Sequence, residues 1–422
     1  MKFCSTFRLK GVVMKKWSIS GVKIQTPDNV IKKGNIVING SAIDSVSARA
    51  AETPLSVEPG ETVVVPGLIN AHDHLLGTYY PKIGNPPYIN WLPWDNDLKS
   101  SPLYEERQHI ENRDLYMLGA YRNLVSGVTT VSDHIPHFVA EPHYDYLPTK
   151  VIRDYALAHS VTSFALAWGD GIPVEYKKAE EGDIPFVTHI AEGFDEETVR
   201  DVDTIIRLGG LGPYSLFIHC IAFSEKDMKK VKDAGASCVW CGDSNMFMYN
   251  ETADVRMMLQ SGINMSIGTD SSATGGLNLL YEMKFDKALY RDIYGEELDD
   301  ELILKMVTEN PARGLHQDDI GMIKQGYTAD LALFRDTGGT PAESVLAADL
   351  KDLRLLVIDG RPVYGDSEFS DLFRSLKVEY QEVVLDGTDK LIIGDVTGMM
   401  QRISRAVGFK KEFPFLPVDF DF

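Results

Sequence analysis

Two histidines separated by one residue, His72 and His74, close the stretch "VVVPGLINAHDH", residues 63–74, just after a β-branched run and a Pro-Gly break. Positions i and i+2 of a strand face the same way, so both imidazoles can reach one ion. Other titratable side chains stand at the ends of later apolar runs: His189 in "PFVTHIAEG", with Glu192 three residues on, His219 in "SLFIHC", and Asp270 in "INMSIGTDSS". Imidazoles and a carboxylate converging on one point make a borderline-hard site for a divalent cation, suited to zinc or iron. Any one of these histidines alone reads as a hydrogen-bonded structural residue. An ordered set, each member at a separate strand end, reads as metal binding.

Those strand ends need a scaffold. Short apolar strands ("GVTTVSDH", "VTSFALAWG", "PFVTHIAEG", "SLFIHCIAF", "ASCVWCGDSN", "INMSIGTDSS") alternate with segments of helical period such as "DEETVRDVDTIIRLGG" and "SEKDMKKVKDAG", which end in glycine as helices often do. Strand–helix alternation over about 250 residues predicts an α/β fold with a parallel sheet closed as a (β/α)8 TIM-like barrel. The chemistry of such barrels sits at the C-terminal strand ends. Residues 15–65 instead read as short β pieces between turns, and the same style returns in "IGMIKQGYTADLALFR" and "LRLLVIDGRPVYGD". We therefore expect a small β-sandwich built from both chain ends: 1–65 and 319–375 for the sandwich, 66–318 for the barrel, and 376–422 as an extension. The extension reads as a strand pair and a helix, ending in "FPFLPVDFDF", which suggests no role of its own.

With 44% apolar residues and 25% charged, the 422-residue chain can bury a sizeable core. Its net charge of −20 disfavours nucleic acid and anionic membrane and suits a neutral or cationic small molecule. Four cysteines in so long a chain build no disulfide framework, and Cys238 and Cys241, a lone C-x-x-C, read as structural. The N-terminus is basic without an apolar h-region, and Met14 is an alternative start. A cytoplasmic location is expected. Pairing with like subunits is compatible with the chain, although no stretch identifies an interface.

The ordered motifs "PGLINAHDH", "VTHIAEG", "IHC", "CGDSN" and "IGTDSS" resemble the amidohydrolase superfamily, and "ENPARGLHQDDIGMIKQGYTADLALF" is similar to the segment by which its members leave the barrel. The similarity covers most of residues 15–365. His189-x-x-Glu192, Ser244-Asn245 and Trp91-Leu92 resemble the branch of cytosine, guanine and S-adenosylhomocysteine deaminases and of atrazine chlorohydrolase. The resemblance implies that His72, His74, His189 and Asp270 bind one divalent metal ion, zinc or alternatively iron, with Glu192 and His219 beside a metal-activated water. "VTSFALAWG" offers no lysine to bridge a second metal, so the resemblance implies a mononuclear site. The chain also lacks the substrate-contacting histidine that relatives carry between their fourth and fifth strands, and the arginine of their first loop.

On this reading the chain is a hydrolase acting on a C–N bond of a small heterocycle, most simply a deaminase. Asp270 would accept a proton from the water, His219 would orient the water or the developing tetrahedral centre, and Glu192 would move a proton to a ring nitrogen and to the leaving group. Hydrolysis of a cyclic amide or a chloro- or amino-triazine is the alternative within catalysis. A scaffold without turnover is the alternative outside it, disfavoured because the ligand set is whole. Trp91 and Trp94, in the aromatic loop 77–97, could stack on a flat ring. His134 could reach substrate, and Asp170 could recognise an amine.

Overall fold

The computed structural model describes residues 16–49 and 52–422, so Cys4 and Met14 lie outside the described residues. It is an α/β fold with two parallel sheets and one larger, mainly antiparallel sheet. One parallel run contains Leu68–Asp73, Val128–Asp133 and Lys150–Val151; the other contains Ala156–Ser160, Phe186–Ile190, Ser215–His219, Ser237–Trp240 and Asn264–Ile267. All are parallel and neighbours follow chain order, because helices return the chain to the same edge each time. Nearly every residue of these strands is buried, as expected where helices cover a parallel sheet.

The two runs touch at both flanks. His134 donates from Nε2 to the Ala158 carbonyl (3.0 Å), and the Asp270 amide donates to the His72 carbonyl (3.1 Å). A glycine permits the second approach: a Cβ on Gly268 would lie 2.8 Å from the His72 amide nitrogen.

Strands from both chain ends meet as expected, but pairing joins them in one ten-stranded sheet, and separate facing sheets of a sandwich do not emerge. The seam is Leu331–Arg335 against Thr62–Pro66, antiparallel, with Leu331 opposite Pro66. Alternation divides its side chains. Val64, Leu331 and Leu333 join a smaller core with Trp17, Ile38 and Phe373, whereas Val63, Val65, Ala332 and Phe334 join the large core under the helices.

One strand was misplaced by its composition. "VTSFALAWG" (161–169) forms turns and loop, and the strand lies upstream at Ala156–Ser160, "ALAHS". An apolar run of this length fits a strand or a packed loop equally well, and small residues conceal a real strand. The extension does form a strand pair, Gln381–Leu385 with Thr388–Ile392, and a helix, Val396–Val407. That helix buries Val396, Met399, Met400 and Ile403, a helical stripe, and contacts the helix Asn112–Leu124. No helix among the described residues is long and apolar enough to cross a membrane.

If this stripe anchors the extension, Ile403→Ala should cost about 2–5 kcal/mol, read as a lower urea midpoint at unchanged slope. A midpoint within error of the wild type would show that the extension docks without it.

Candidate metal centre

The strand Leu68–Asp73 delivers His72 and His74 to one side and Asp73 to the other. On the far side Asp73 accepts from Arg122 Nη1 (3.0 Å) and Asn123 Nδ2 (2.7 Å). On the near side the imidazoles of His72 and His74 pack edge to face at 4.8 Å. His189 arrives from Phe186–Ile190, with its Nε2 3.3 Å from His72 Nε2. Asp270 follows the last parallel strand with φ 55°, a left-handed turn that swings its carboxylate back over the strand ends. Its Oδ1 faces His74 Nε2 at 3.5 Å and His72 Nε2 at 3.7 Å. Its Oδ2 accepts from Ser244 Oγ (2.6 Å) and Thr274 Oγ1 (3.0 Å), so the carboxylate cannot turn away.

These donors fit a cation. Donors held about 2.1 Å from one tetrahedral ion lie about 3.4 Å from each other, and the observed separations are 3.3, 3.5 and 3.7 Å. Burial, outweighing the hydrogen bond with Asp270, lowers His72 to about 4. Burial, with the charge of neighbouring imidazoles, also puts His189 well below its ordinary value. Both are therefore neutral, the form that ligates metal. Burial alone would raise Asp270, yet the His72 hydrogen bond and the charges of His74, His72 and His219 hold it well below the carboxylate range.

Glu192 and His219 stand next to this set. His219 has φ 71° and donates from Nδ1 to Asn245 Oδ1 (2.8 Å), which leaves Nε2 as its exchangeable nitrogen, 3.7 Å from Glu192 Oε1. The same carboxylate oxygen accepts from Tyr249 OH (2.9 Å). Burial raises the Glu192 carboxyl above its ordinary value, against the pull of His219.

The substrate-side candidates divide. Trp91 is buried with its indole N–H unpartnered, and its ring lies 4.6 Å from His159. Trp94 packs the loop instead, donating from Nε1 to the Ile83 carbonyl (3.0 Å). Asp170 stands away from the imidazoles: its side chain is 70% exposed and pairs with Lys178 (2.6 Å). The misplaced strand explains this, because 161–169 is loop and carries Asp170 out to solvent. His134 lies among the imidazoles, its ring 4.6 Å from that of His189.

Three contributors were missed. His159, on the displaced fourth strand, joins the imidazoles; its ring is 4.7 Å from Trp168 and 5.5 Å from His189. Trp168 also lies 6.5 Å from His74. Placing the strand five residues earlier would have exposed His159. Tyr249 carries no sequence signal, since only the helix Gly242–Tyr249 brings it back to Glu192.

With the geometry established, likeness to known proteins becomes informative. The model of the Amidohydrolase family matches residues 170–363. It is 25% identical to a 5-methylthioadenosine/S-adenosylhomocysteine deaminase of Pyrococcus furiosus, over 83% of this chain and 95% of the relative. It is 24% identical to an 8-oxoguanine deaminase of Pseudomonas aeruginosa, over 76% and 85%. Its fold is shared with a zinc complex of atrazine chlorohydrolase TrzN from Arthrobacter aurescens at TM-score 0.75, 17% identity, 93% of this chain and 100% of that one.

Two substitutions probe this centre. Arg122→Met strands the buried Asp73 and should cost about 3–5 kcal/mol in urea unfolding; a loss under 1 kcal/mol, the range of an exposed ion pair, would deny the pair its role. Burial, with the charge of His74, depresses His159 to about 3 in the fold. The unfolded chain therefore binds the extra proton first, and stability falls as the pH drops from about 6.5 towards 3. His159→Gln should flatten that part of the pH–stability profile, and an unchanged slope would mean that His159 is not kept neutral.

Proposed function

We infer that this amidohydrolase is a hydrolytic deaminase of a small amino-substituted heterocycle, built around one divalent cation held by His72, His74, His189 and Asp270. The supporting observation is that His72, His74 and His189 share one donor cluster, Asp270 Oδ1 faces His72 and His74, and Glu192 and His219 stand beside them, in a chain similar to deaminases over most of its length. The eight parallel strands make up a (β/α)8 barrel, which the contacts at both flanks support. In this reading residues 66–318 carry catalysis, 1–65 and 319–375 form the flanking β unit, and 376–422 extend it. Zinc is the natural ion for a set of three imidazoles and one carboxylate.

When bound, the cation lowers the pKa of water towards neutrality and polarises the attacked carbon. Asp270 Oδ1 is the nearest carboxylate oxygen to His72 and His74 and accepts a proton from the attacking water. Glu192, whose carboxyl burial raises above its ordinary value, delivers a proton to a ring nitrogen of the substrate. His219, fixed through Asn245, orients the nucleophile or the tetrahedral centre. Water adds at the C=N carbon, the amino group leaves as ammonia, and a ring carbonyl remains. Trp91, Trp168 and His159 form aromatic walls that suit a flat ring. The substrate is a neutral or cationic small molecule, as the acidic chain favours. The buried free thiols of Cys220, Cys238 and Cys241 suit the cytoplasm.

The test is ammonia release across a panel of amino-substituted purines, pyrimidines and triazines. Chelation should abolish release and added zinc restore it. Glu192→Gln should lower kcat about 10²–10⁴-fold with metal content unchanged. Full activity after metal removal would sink the reading, as would wild-type turnover of Glu192→Gln. Chloride or a new carboxylate in place of ammonia would move the substrate to chlorotriazines or cyclic amides.

A further inference from the structure

We propose that His134 is a further nitrogen donor to the cation, beyond the four residues above; this rests on the reading that the cluster holds a divalent cation. Backbone register brings His134 there. Asp73 pairs with Asp133 across the first two parallel strands, and the His134 amide donates to the Asp73 carbonyl (3.0 Å). His134 thus sits beside His74, their rings near parallel at 5.8 Å, while the ring of His72 is 5.5 Å away. The candidate donor atoms of His72, His74, His134 and His189 all lie within 4.8 Å of one another.

The ring's chemistry is fixed by one hydrogen bond. Its Nε2 lies 3.0 Å from the Ala158 carbonyl. A carbonyl only accepts, so Nε2 carries the hydrogen and Nδ1 the lone pair. Nδ1 is buried and meets no protein donor among the described residues. An imidazole whose N–H is held by a backbone carbonyl, with its second nitrogen buried and without a hydrogen-bond partner among the described residues, has the arrangement that orients metal ligands. The consequence is a set of four imidazoles and one carboxylate. Such a set is richer in nitrogen than the family resemblance implies and favours cobalt, nickel or zinc over manganese or magnesium.

The test uses the full chain stripped of metal and titrated with Co²⁺, whose visible absorption reports coordination number. Wild type, His134→Gln and His134→Phe are compared, with thermal unfolding of the metal-free proteins as the check on folding. The expected result is Co²⁺ binding weakened about tenfold or more in both variants, with a spectrum shifted towards fewer ligands. A folded variant with wild-type affinity and spectrum overturns the proposal, including one whose only change is a raised KM, which would make His134 a substrate contact. Should both variants unfold, X-ray absorption of the wild-type Co²⁺ protein decides: four imidazoles around the metal support the proposal and three overturn it. Wild-type protein that takes up no Co²⁺ would overturn the underlying cation reading instead, a different failure from the others.

Discussion

The period of two along one strand, answered by one buried guanidinium, is the constraint on which the centre depends. His72 and His74 face the cation position only because Asp73 faces away, and Asp73 can be buried there only because Arg122 meets it. The same guanidinium donates to the carbonyls of Asp270 (3.1 Å), Gly276 (2.5 Å) and Leu277 (2.8 Å). One side chain therefore ties the strand that supplies two histidines to the segment that supplies the aspartate. Those two pieces of chain are almost two hundred residues apart. A planar group with five donors in fixed directions can make these bonds together, which a lysine could not.

A second positioning device is a single short helix. From Gly242–Tyr249, Ser244 donates to Asp270, Asn245 accepts from His219, and Tyr249 donates to Glu192. Each group expected to handle protons is thus held by a neutral partner on one rigid element, which fixes orientation without adding charge. The helix is seated in turn from outside: the Asp243 amide donates to Glu282 Oε1 (3.0 Å), and Lys82 pairs with Asp243 (2.6 Å). Burial, with the charge of Asp243, pushes Glu282 up to about 8. That shift keeps the negative charge around the helix N-terminus from accumulating.

The residues that lie on strand ends in register were legible in the sequence, and those that depend on loops were not. His72, His74, His189, His219 and Asp270 each follow an apolar run closed by a turn, and the structure brings them together. The parallel sheet and the meeting of the chain ends were legible for the same reason, since both follow from alternation and punctuation. The directions of Trp94 and Asp170 were not legible, because an aromatic or acidic residue near a site has no sequence mark for which way it points. His159 failed because "ALAHS" is too small and polar to stand out beside the more apolar "VTSFALAWG". Tyr249 and Arg122 failed because their partners are distant in sequence, and helical position alone does not pair them.

The extension shows how a segment with no motif still bears on the site. Lys411 donates to Glu106 (2.8 Å) and lies 4.6 Å from the centre of the Tyr79 ring, while Phe413 packs on that ring at 5.8 Å. Tyr79 in turn donates to Glu106. Its neighbours Thr78 and Tyr80 offer their carbonyls to Ser272 Oγ at 2.8 and 2.6 Å, two residues after Asp270. A continuous line of contacts therefore runs from residues 411–413, through the base of the aromatic loop, to the segment that carries Asp270. The stretch 77–90, ahead of the helix Trp91–Ser100, has several prolines and glycines and little regular structure to hold its first turn, and long loops need such outside packing to keep one conformation. The "FPFLPVDFDF" tail buries Phe413, Phe415, Leu416 and Val418, which gives the apolar area for that packing. Its aromatic composition is thus explained by what it covers: the root of the aromatic loop.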